Sequence, residues 1–167
     1  MIKLKDILAE VENVDINQVA STLQFKPVTK QKLVYKYVDN GTPGSMPPMT
    51  YTKSTVKQPV VTITTDGKET QNVAEVGDII FSGATGENYV IKAAKLPKLY
   101  TGTVGGDIYP EQSPREVARY TGSPITFKAP WGEDMIIKSG DYLVKDPANP
   151  GYYRIAKVEF EKTYNPL

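Results

Sequence analysis

The order of apolar and polar residues predicts two short helices at the start of the chain. Residues 3–12 place their apolar side chains at the three- and four-residue intervals that form one face of a helix. These apolar positions are Leu4, Ile7, Leu8 and Val11. Asp15 stands where it can cap a second helix, and the apolar positions of that helix are Ile16, Val19, Ala20 and Leu23. Such a helix pair packs on its own chain or docks on a neighbour, and the pattern leaves both open.

Most of the remaining chain has the composition of β-strands separated by turns. Residues 33–38 are β-branched and aromatic and predict a strand. Residues 40–48 are rich in Gly and Pro and predict an exposed arm, a linker or a hairpin loop. Residues 60–63 predict another strand, which is followed by a turn at Asp66–Gly67. Residues 124–127 have a similar strand pattern and also precede a turn.

One further helix is predicted after residue 112. Ser113 is suited to the N-cap, Pro114 to the first helical position and Glu116 to the third. The helix is expected to be short, because Gly122 can terminate it soon after Tyr120.

The second half of the chain contains a repeated pattern. The paired positions are Gly77/Gly140, Tyr89/Tyr153, Ile91/Ile155, Leu96/Phe160 and Tyr100/Tyr164. The glycines are 63 residues apart and the other pairs 64, so one inserted residue in the loop at 146–151 accounts for the difference. Each copy is interpreted as strand, turn, strand, Gly-Asp turn, strand, loop, strand and short helical turn. A repeat of this kind indicates duplicated structure.

These patterns together predict an α+β, mainly β protein. Short N-terminal helices precede two tandem, related, antiparallel β units. Residues 1–50 are predicted to be an N-terminal region with helices, a strand and the Pro/Gly arm. Residues 51–105 are predicted to form the first β unit and residues 106–167 the second. Whether the two units share one core is left open.

Composition excludes several classes of function. The chain has 20 basic and 19 acidic residues, a net charge of +1, no histidine and no cysteine. Disulfides, thiolate metal sites, cysteine nucleophiles and Ser-His-Asp catalysis are therefore excluded. The balanced charge makes nucleic acid an unlikely partner. Neither a signal peptide nor a membrane-spanning stretch is expected, and no catalytic residue, cofactor or metal site is predicted.

The Gly-Asp pairs are candidate site residues with two interpretations. In the structural one, Gly supplies a positive φ and Asp78 or Asp141 binds nearby backbone amides, which starts the next strand. In the functional one, the two carboxylates face a symmetric cleft. The structural interpretation is favoured, because turns are the usual place for these residues.

Aromatic residues supply the other candidates for binding or interface contacts. Tyr89 and Tyr153 recur in register and are expected to be half-buried with their hydroxyls at the rim. Tyr152 and Tyr153 are expected to point to opposite faces of a strand, which would leave one of them exposed. Trp131 is expected to cover the core, with an exposed anchor as the alternative. Arg154 is a candidate for binding an anion.

The second copy resembles the small PGDYG-type domains that occur in tailed-bacteriophage proteins. The resemblance covers Ile125 to Tyr164 and is carried by Ser139-Gly140-Asp141-Tyr142 and by the closing Phe160-x-x-x-Tyr164. Ser139 stands where the family usually has Pro, and Lys145 replaces the last Gly of the motif. The first copy looks like a diverged version. The resemblance implies a viral origin and supplies no catalytic residue.

The expected function is therefore non-enzymatic. We expect a bacteriophage structural or interaction protein, such as a head-decoration or other virion component, with phage proteins or itself as partners. Its expected location is the virion or the host cytoplasm. The alternative is a protein that binds a small molecule, a nucleotide signal, in the infected host cell. In that case Asp78, Asp141, Tyr89 and Tyr153 would line a cleft, and Lys92 or Arg154 would hold the anion.

Overall fold

The computed structural model describes residues 12–67 and 69–167 and confirms a mainly β, α+β fold, with 38% strand and 11% helix. The helices are α1 (Ile16–Ala20), α2 (Leu96–Leu99) and α3 (Lys157–Thr163). The predicted N-cap of α1 is confirmed, since the Asp15 side chain accepts a hydrogen bond of 3.0 Å from the amide of Asn17. The helix predicted over residues 3–12 lies outside the described residues, apart from Glu12, which is in a strand.

The strands of the described residues are short and follow one another closely. In chain order they are β1 (Glu12–Asn13), β2 (Lys26–Val28), β3 (Lys36–Tyr37), β4 (Thr50–Lys53), β5 (Gln58–Ile63), β6 (Glu69–Ala74), β7 (Ile79–Ser82), β8 (Asn88–Ile91), β9 (Tyr100–Gly102), β10 (Ile108–Pro110), β11 (Arg115–Arg119), β12 (Ile125–Lys128), β13 (Asp134–Ile137), β14 (Tyr142–Lys145) and β15 (Tyr152–Ile155).

The chain divides into two compact units with bounds that differ from the predicted ones. The central unit is Lys30–Gln112, and the split unit combines the residues up to Thr29 with Ser113–Leu167. The N-terminal region predicted over residues 1–50 is divided between the two units. Its first part supplies β2, which pairs with β11, and its second part supplies β3, which pairs with β4.

The central unit is built on a four-stranded sheet of order β3-β4-β7-β8, in which only β3 and β4 are parallel. Two hairpins, β5–β6 and β9–β10, complete the unit. Residues 40–48, the predicted arm, form turns between β3 and β4, and Met46 within them is buried. The core is aromatic, with Phe81 stacked between Tyr51 and Tyr89 at centroid distances of 5.8 and 5.1 Å.

The split unit contains the corresponding sheet, of order β15-β14-β11-β2, with all its pairs antiparallel. A second sheet has the order β1-β12-β13, and β1 runs parallel to β12. Leu143 and Phe127 fill one part of the core, and Phe160 of α3 stacks on Tyr142 in another, with centroids 3.8 Å apart. The repeat therefore appears as β7, β8 and α2 in one unit and β14, β15 and α3 in the other.

The helix predicted from Ser113 is wrong, because Arg115–Arg119 form strand β11. This strand lies between β2 and β14 and bonds to both. Val117 and Ala118 are 0% and 1% exposed, so both faces of the strand are buried. Capping rules act within one turn of chain, and the pairing with two neighbouring strands outweighs them.

Candidate functional site

Each Gly-Asp pair forms the same turn in its own unit. Gly77 has φ 91° and Gly140 has φ 97°, in the left-handed region that glycine tolerates best. The amide of Gly77 donates to the carbonyl of Ser54 at 2.8 Å, and the Ser54 amide donates to the Asp78 carbonyl at 2.8 Å. In the split unit Tyr120 exchanges the same two bonds with Gly140 and Asp141, also at 2.8 Å. The predicted turn is confirmed in both copies.

The Asp78 carboxylate joins three parts of the central unit. Its Oδ2 accepts from the Glu75 amide at 2.9 Å and from the Lys92 Nζ at 2.8 Å. Its Oδ1 accepts from the amide of Ala93 at 3.2 Å, beyond strand β8. Burial raises the pKa of Asp78, but the hydrogen bonds from Lys92 and the two amides outweigh it and hold the pKa below its ordinary value.

The Asp141 carboxylate makes the equivalent contacts in the split unit. Its Oδ2 accepts from the Lys138 amide at 3.0 Å, and its Oδ1 accepts from the Lys157 amide at 3.3 Å, at the start of α3. Arg154 Nε donates to Oδ2 at 3.0 Å, and the Lys138 Nζ lies 3.7 Å from the same oxygen. The side chains of Arg154 and Asp141 are 2% and 3% exposed, so this is a buried ion pair.

The cation is the part of this arrangement that differs between the copies. Arg154 pairs with Leu143 across β14 and β15, and its counterpart in the central unit is Val90, which pairs with Ile80. Lys92 lies two residues further along and reaches Asp78 from a side chain that is 49% exposed. The backbone contacts of the carboxylate are thus retained, while the neutralising charge has moved. This arrangement ties the turn to the segment that follows the hairpin, which is a structural role.

The predicted half-burial of Tyr89 and Tyr153 is confirmed, while the other two recurring tyrosines are buried more deeply. Tyr100 and Tyr164 are 7% and 4% exposed, while Tyr89 and Tyr153 are half-buried. The hydroxyls of Tyr89 and Tyr100 lie 3.3 Å apart. Burial raises the pKa of Tyr89, of Tyr100 and of Tyr35 beside them. Burial likewise raises the pKa of Tyr153, against an opposing effect of the Arg115 charge.

The prediction that Trp131 covers the core is wrong. The residue is 54% exposed, at the turn between β12 and β13. Its indole N–H donates to Glu133 Oε2 at 2.9 Å, and its ring packs at a tilt of 48° on Tyr153, with centroids 5.5 Å apart. The core beneath the strands is filled by Phe127 and Met135, so no space requires the indole. Trp131 is therefore an exposed aromatic ring held in a fixed position.

The prediction that one of Tyr152 and Tyr153 is exposed is also wrong. Both are half-buried. Tyr152 packs on Phe25, with ring centroids 5.6 Å apart, and Tyr153 packs on Trp131. Strand β15 is covered by side chains on both of its faces.

The hairpin of β5 and β6, named the ribbon below, carries apolar residues on both faces. On the inner face Val60 and Ala74 are 1% and 0% exposed and pack with Ile80. On the outer face Val61, Ile63 and Val73 are 41%, 46% and 39% exposed. Pairing in register places Pro59 opposite Val73, so these outer residues share one side of the ribbon. They are named the outer ribbon face.

The outer ribbon face was missed by the sequence analysis, although a signal for it exists. A strand that is buried on one face alternates apolar and polar residues. Val60 and Val61 are adjacent and both apolar, so the strand has an apolar residue on each face. In a hairpin of two strands, only one of these faces packs on the rest of the unit.

The described residues show neither a group of three potential metal ligands nor a helix long and apolar enough to cross a membrane. Asp78 and Asp141 are neutralised within their own units, so they are not open groups for chemistry. No family model, curated protein or solved structure matches the chain.

Proposed function

We propose that the protein is a non-enzymatic bacteriophage protein that works by protein–protein contact, as a head-decoration protein or another component of the virion. The observation that carries the proposal is the outer ribbon face, where Val61, Ile63 and Val73 leave apolar surface in contact with solvent. The viral part of the proposal rests on the resemblance of Ile125 to Tyr164 to PGDYG-type domains.

Two contacts anchor the ribbon to the central unit while this face points toward solvent. The Thr62 hydroxyl donates to the carbonyl of Asn88 in β8, and Val60 is locked into the core beneath. A preformed surface loses little conformational entropy when a partner covers it. Grouped apolar residues on a surface are typical of interaction sites.

The size of the face indicates what kind of partner suits it. Fully burying one aliphatic side chain contributes about 1.5–3 kcal/mol, and these three side chains are already more than half buried. We therefore expect about 2–4 kcal/mol from the face, whereas micromolar affinity requires about 8 kcal/mol. A single contact of this size is weak, so a repeating lattice that binds many copies or several surfaces at once suits it best.

The residues proposed to bind a small molecule give no support to that alternative. Asp78 and Asp141 are 6% and 2% exposed and already accept hydrogen bonds from amides and a cation. Arg154 is bonded to Asp141, so it is not available to an external anion. The contact function therefore has the stronger support.

The test is co-sedimentation with particles purified from cells that produce the protein. The triple variant Val61→Thr, Ile63→Thr and Val73→Thr keeps β-branched side chains while it removes apolar surface. Val104→Thr is the matched control, because Val104 is 40% exposed and lies outside the ribbon. We expect the wild type and the control to sediment with particles and the triple variant to bind at least tenfold less. A protein abundant in these cells but absent from the particles would refute the proposal, and so would wild-type binding by the triple variant.

A further inference from the structure

Asn40 and Gly41 lie in the turn that follows strand β3 in the central unit. Asn40 is exposed and has φ 54°, in the left-handed region. A residue with a Cβ adopts this conformation at a cost in energy, so contacts around the turn must hold it there. One of them is the hydrogen bond that the Val38 amide donates to the Tyr51 carbonyl at 2.8 Å. The turn therefore presents the Asn40 side chain to water in a defined backbone conformation.

The packing around position 41 leaves no space for a side chain. A Cβ at Gly41 would collide with the side chain of Met46 and would lie 3.1 Å from the Cβ of Thr52. Met46 is 8% exposed and packs in the cluster that contains Val60 of the ribbon. Glycine is therefore required at position 41 by the packing of the fold, and here it follows an asparagine.

An asparagine that precedes a glycine can react with its own main chain. The nitrogen of the glycine attacks the carbon of the side-chain amide, so one C–N bond forms while the bond to the side-chain nitrogen breaks. The proton of the attacking nitrogen leaves with the side-chain nitrogen as ammonia, and the product is a five-membered succinimide ring. Water then adds to one of the two ring carbonyls and opens the ring to aspartate or to isoaspartate. Glycine favours the attack because it has no side chain to shield its nitrogen.

Asn40 is the only asparagine of the chain that precedes a glycine. The other asparagines precede valine, glutamine, tyrosine or proline. Three of these residue types shield the nitrogen with a side chain, and proline has no N–H proton to lose. The sequence therefore concentrates this reaction at one position.

The fold restrains the reaction at this position through Thr52. The Gly41 amide donates to Thr52 Oγ1 at 3.2 Å, and Thr52 lies in strand β4 with an exposure of 1%. To close the ring, the Gly41 nitrogen must turn toward the Asn40 side chain and give up this hydrogen bond. Breaking it adds to the barrier in the folded protein and not in the unfolded chain.

We propose that Asn40 is a site of self-modification, at which the Gly41 nitrogen is the nucleophile and the hydrogen bond to Thr52 sets the rate. The co-reactant is water, and the ammonia is lost, so the change accumulates with time. Each conversion adds one negative charge, which cancels the net charge of +1 on the chain. Isoaspartate also lengthens the main chain by one carbon, beside a glycine that has no free space around it. The proposal does not depend on the contact function.

The test follows the folded, full-length protein by peptide mass spectrometry during incubation in water enriched in ¹⁸O. The peptide that contains Asn40 should lose a side-chain nitrogen and gain an oxygen from the solvent. The internal control is the peptide that contains Asn72, which is exposed but precedes Val73 and should not change over the same period. The chain unfolded in urea is measured in parallel, and its Asn40 should convert faster.

Three variants test the role of the hydrogen bond. Thr52→Val removes the acceptor and should speed conversion of Asn40 by about two- to tenfold, the effect of one hydrogen bond. Thr52→Ser keeps a hydroxyl and should convert at the wild-type rate. Thr50→Val is the matched control on the same strand, because the Thr50 hydroxyl donates to the Pro47 carbonyl and does not contact Gly41.

Two results would overturn the role of Thr52: a wild-type rate in Thr52→Val, or an equal acceleration in Thr50→Val. The site itself would be overturned if Asn40 stayed intact in folded Thr52→Val over a period in which the unfolded chain converts.

Discussion

Replacing Asp141 by Ala should destabilise its unit more than replacing Asp78 does, although the two residues occupy the same turn. Asp141→Ala removes the carboxylate that pairs with Arg154, whose charged side chain is only 2% exposed. Removing one partner of a buried ion pair costs about 3–5 kcal/mol. In Asp78→Ala the cation is Lys92, which is 49% exposed and can turn to water. What remains is the loss of an acceptor for two amides, at about 1–3 kcal/mol.

The assay is thermal unfolding followed separately for each unit by hydrogen exchange and mass spectrometry of its peptides. For a domain of this size, 1 kcal/mol corresponds to about 4–8 °C, so Asp141→Ala should lower the midpoint of the split unit by at least about 12 °C. Asp141→Ala with Arg154→Met also removes the buried positive charge and should recover part of the loss. Equal losses for Asp141→Ala and Asp78→Ala would refute this reasoning, and so would a double variant no more stable than Asp141→Ala.

Three further predictions concern titration and the turn. The pKa of Asp78 lies below its ordinary value of 3.8, so its carboxylate stabilises the fold above that pH. This contribution is lost as pH falls through the folded-state pKa. The difference in urea stability between wild type and Asp78→Asn should therefore shrink below pH 3.8. Burial raises the pKa of Tyr89 well above 10.0, so the contribution of this residue to stability should be complete below pH 10.0 and fall above it. The absorbance of its tyrosinate should rise only as the fold is lost. Absorbance that rises while circular dichroism stays native would contradict this prediction. Gly77→Ala and Gly140→Ala should each cost about 1–2 kcal/mol in urea unfolding, because their φ is left-handed, while the control Gly106→Ala, whose φ is not left-handed, should change little.

The repeat and its Gly-Asp turn could be predicted from the sequence because their causes are local. Gly77 and Gly140 need a positive φ, and the following carboxylate accepts from an amide three residues earlier in both units. Few residue types meet both requirements, so the same letters recur even where the surrounding sequence has diverged.

The other contacts of these carboxylates could not be predicted. The amides of Ala93 and Lys157 are donors in any sequence, and only the folded hairpin brings them to the aspartates. The cation that pairs with each aspartate could not be predicted for another reason. Lys92 and Arg154 occupy different positions of the repeat, so aligning the copies does not pair them.

The two wrong predictions come from general preferences of residue types that the fold overrides. Ser113, Pro114 and Glu116 satisfy helix-capping preferences, but strands β2 and β14 lie on both sides of β11 and supply its hydrogen bonds. Trp131 has the size and apolarity of a core residue, but its turn projects it outward and Phe127 fills the core. The first outcome depends on strands far away in the sequence, and the second on the direction in which a turn projects its side chain.

The Gly-Asp motif ties the turn in each unit to the segment that follows the hairpin. The most direct test is NMR hydrogen exchange of the Ala93 and Lys157 amides, which donate to Asp78 and Asp141. We predict strong protection of both amides in the wild type, with selective loss at Ala93 in Asp78→Ala and at Lys157 in Asp141→Ala. Exchange at the rate of an unfolded chain in the wild type, or protection that survives removal of the carboxylate, would contradict the claim.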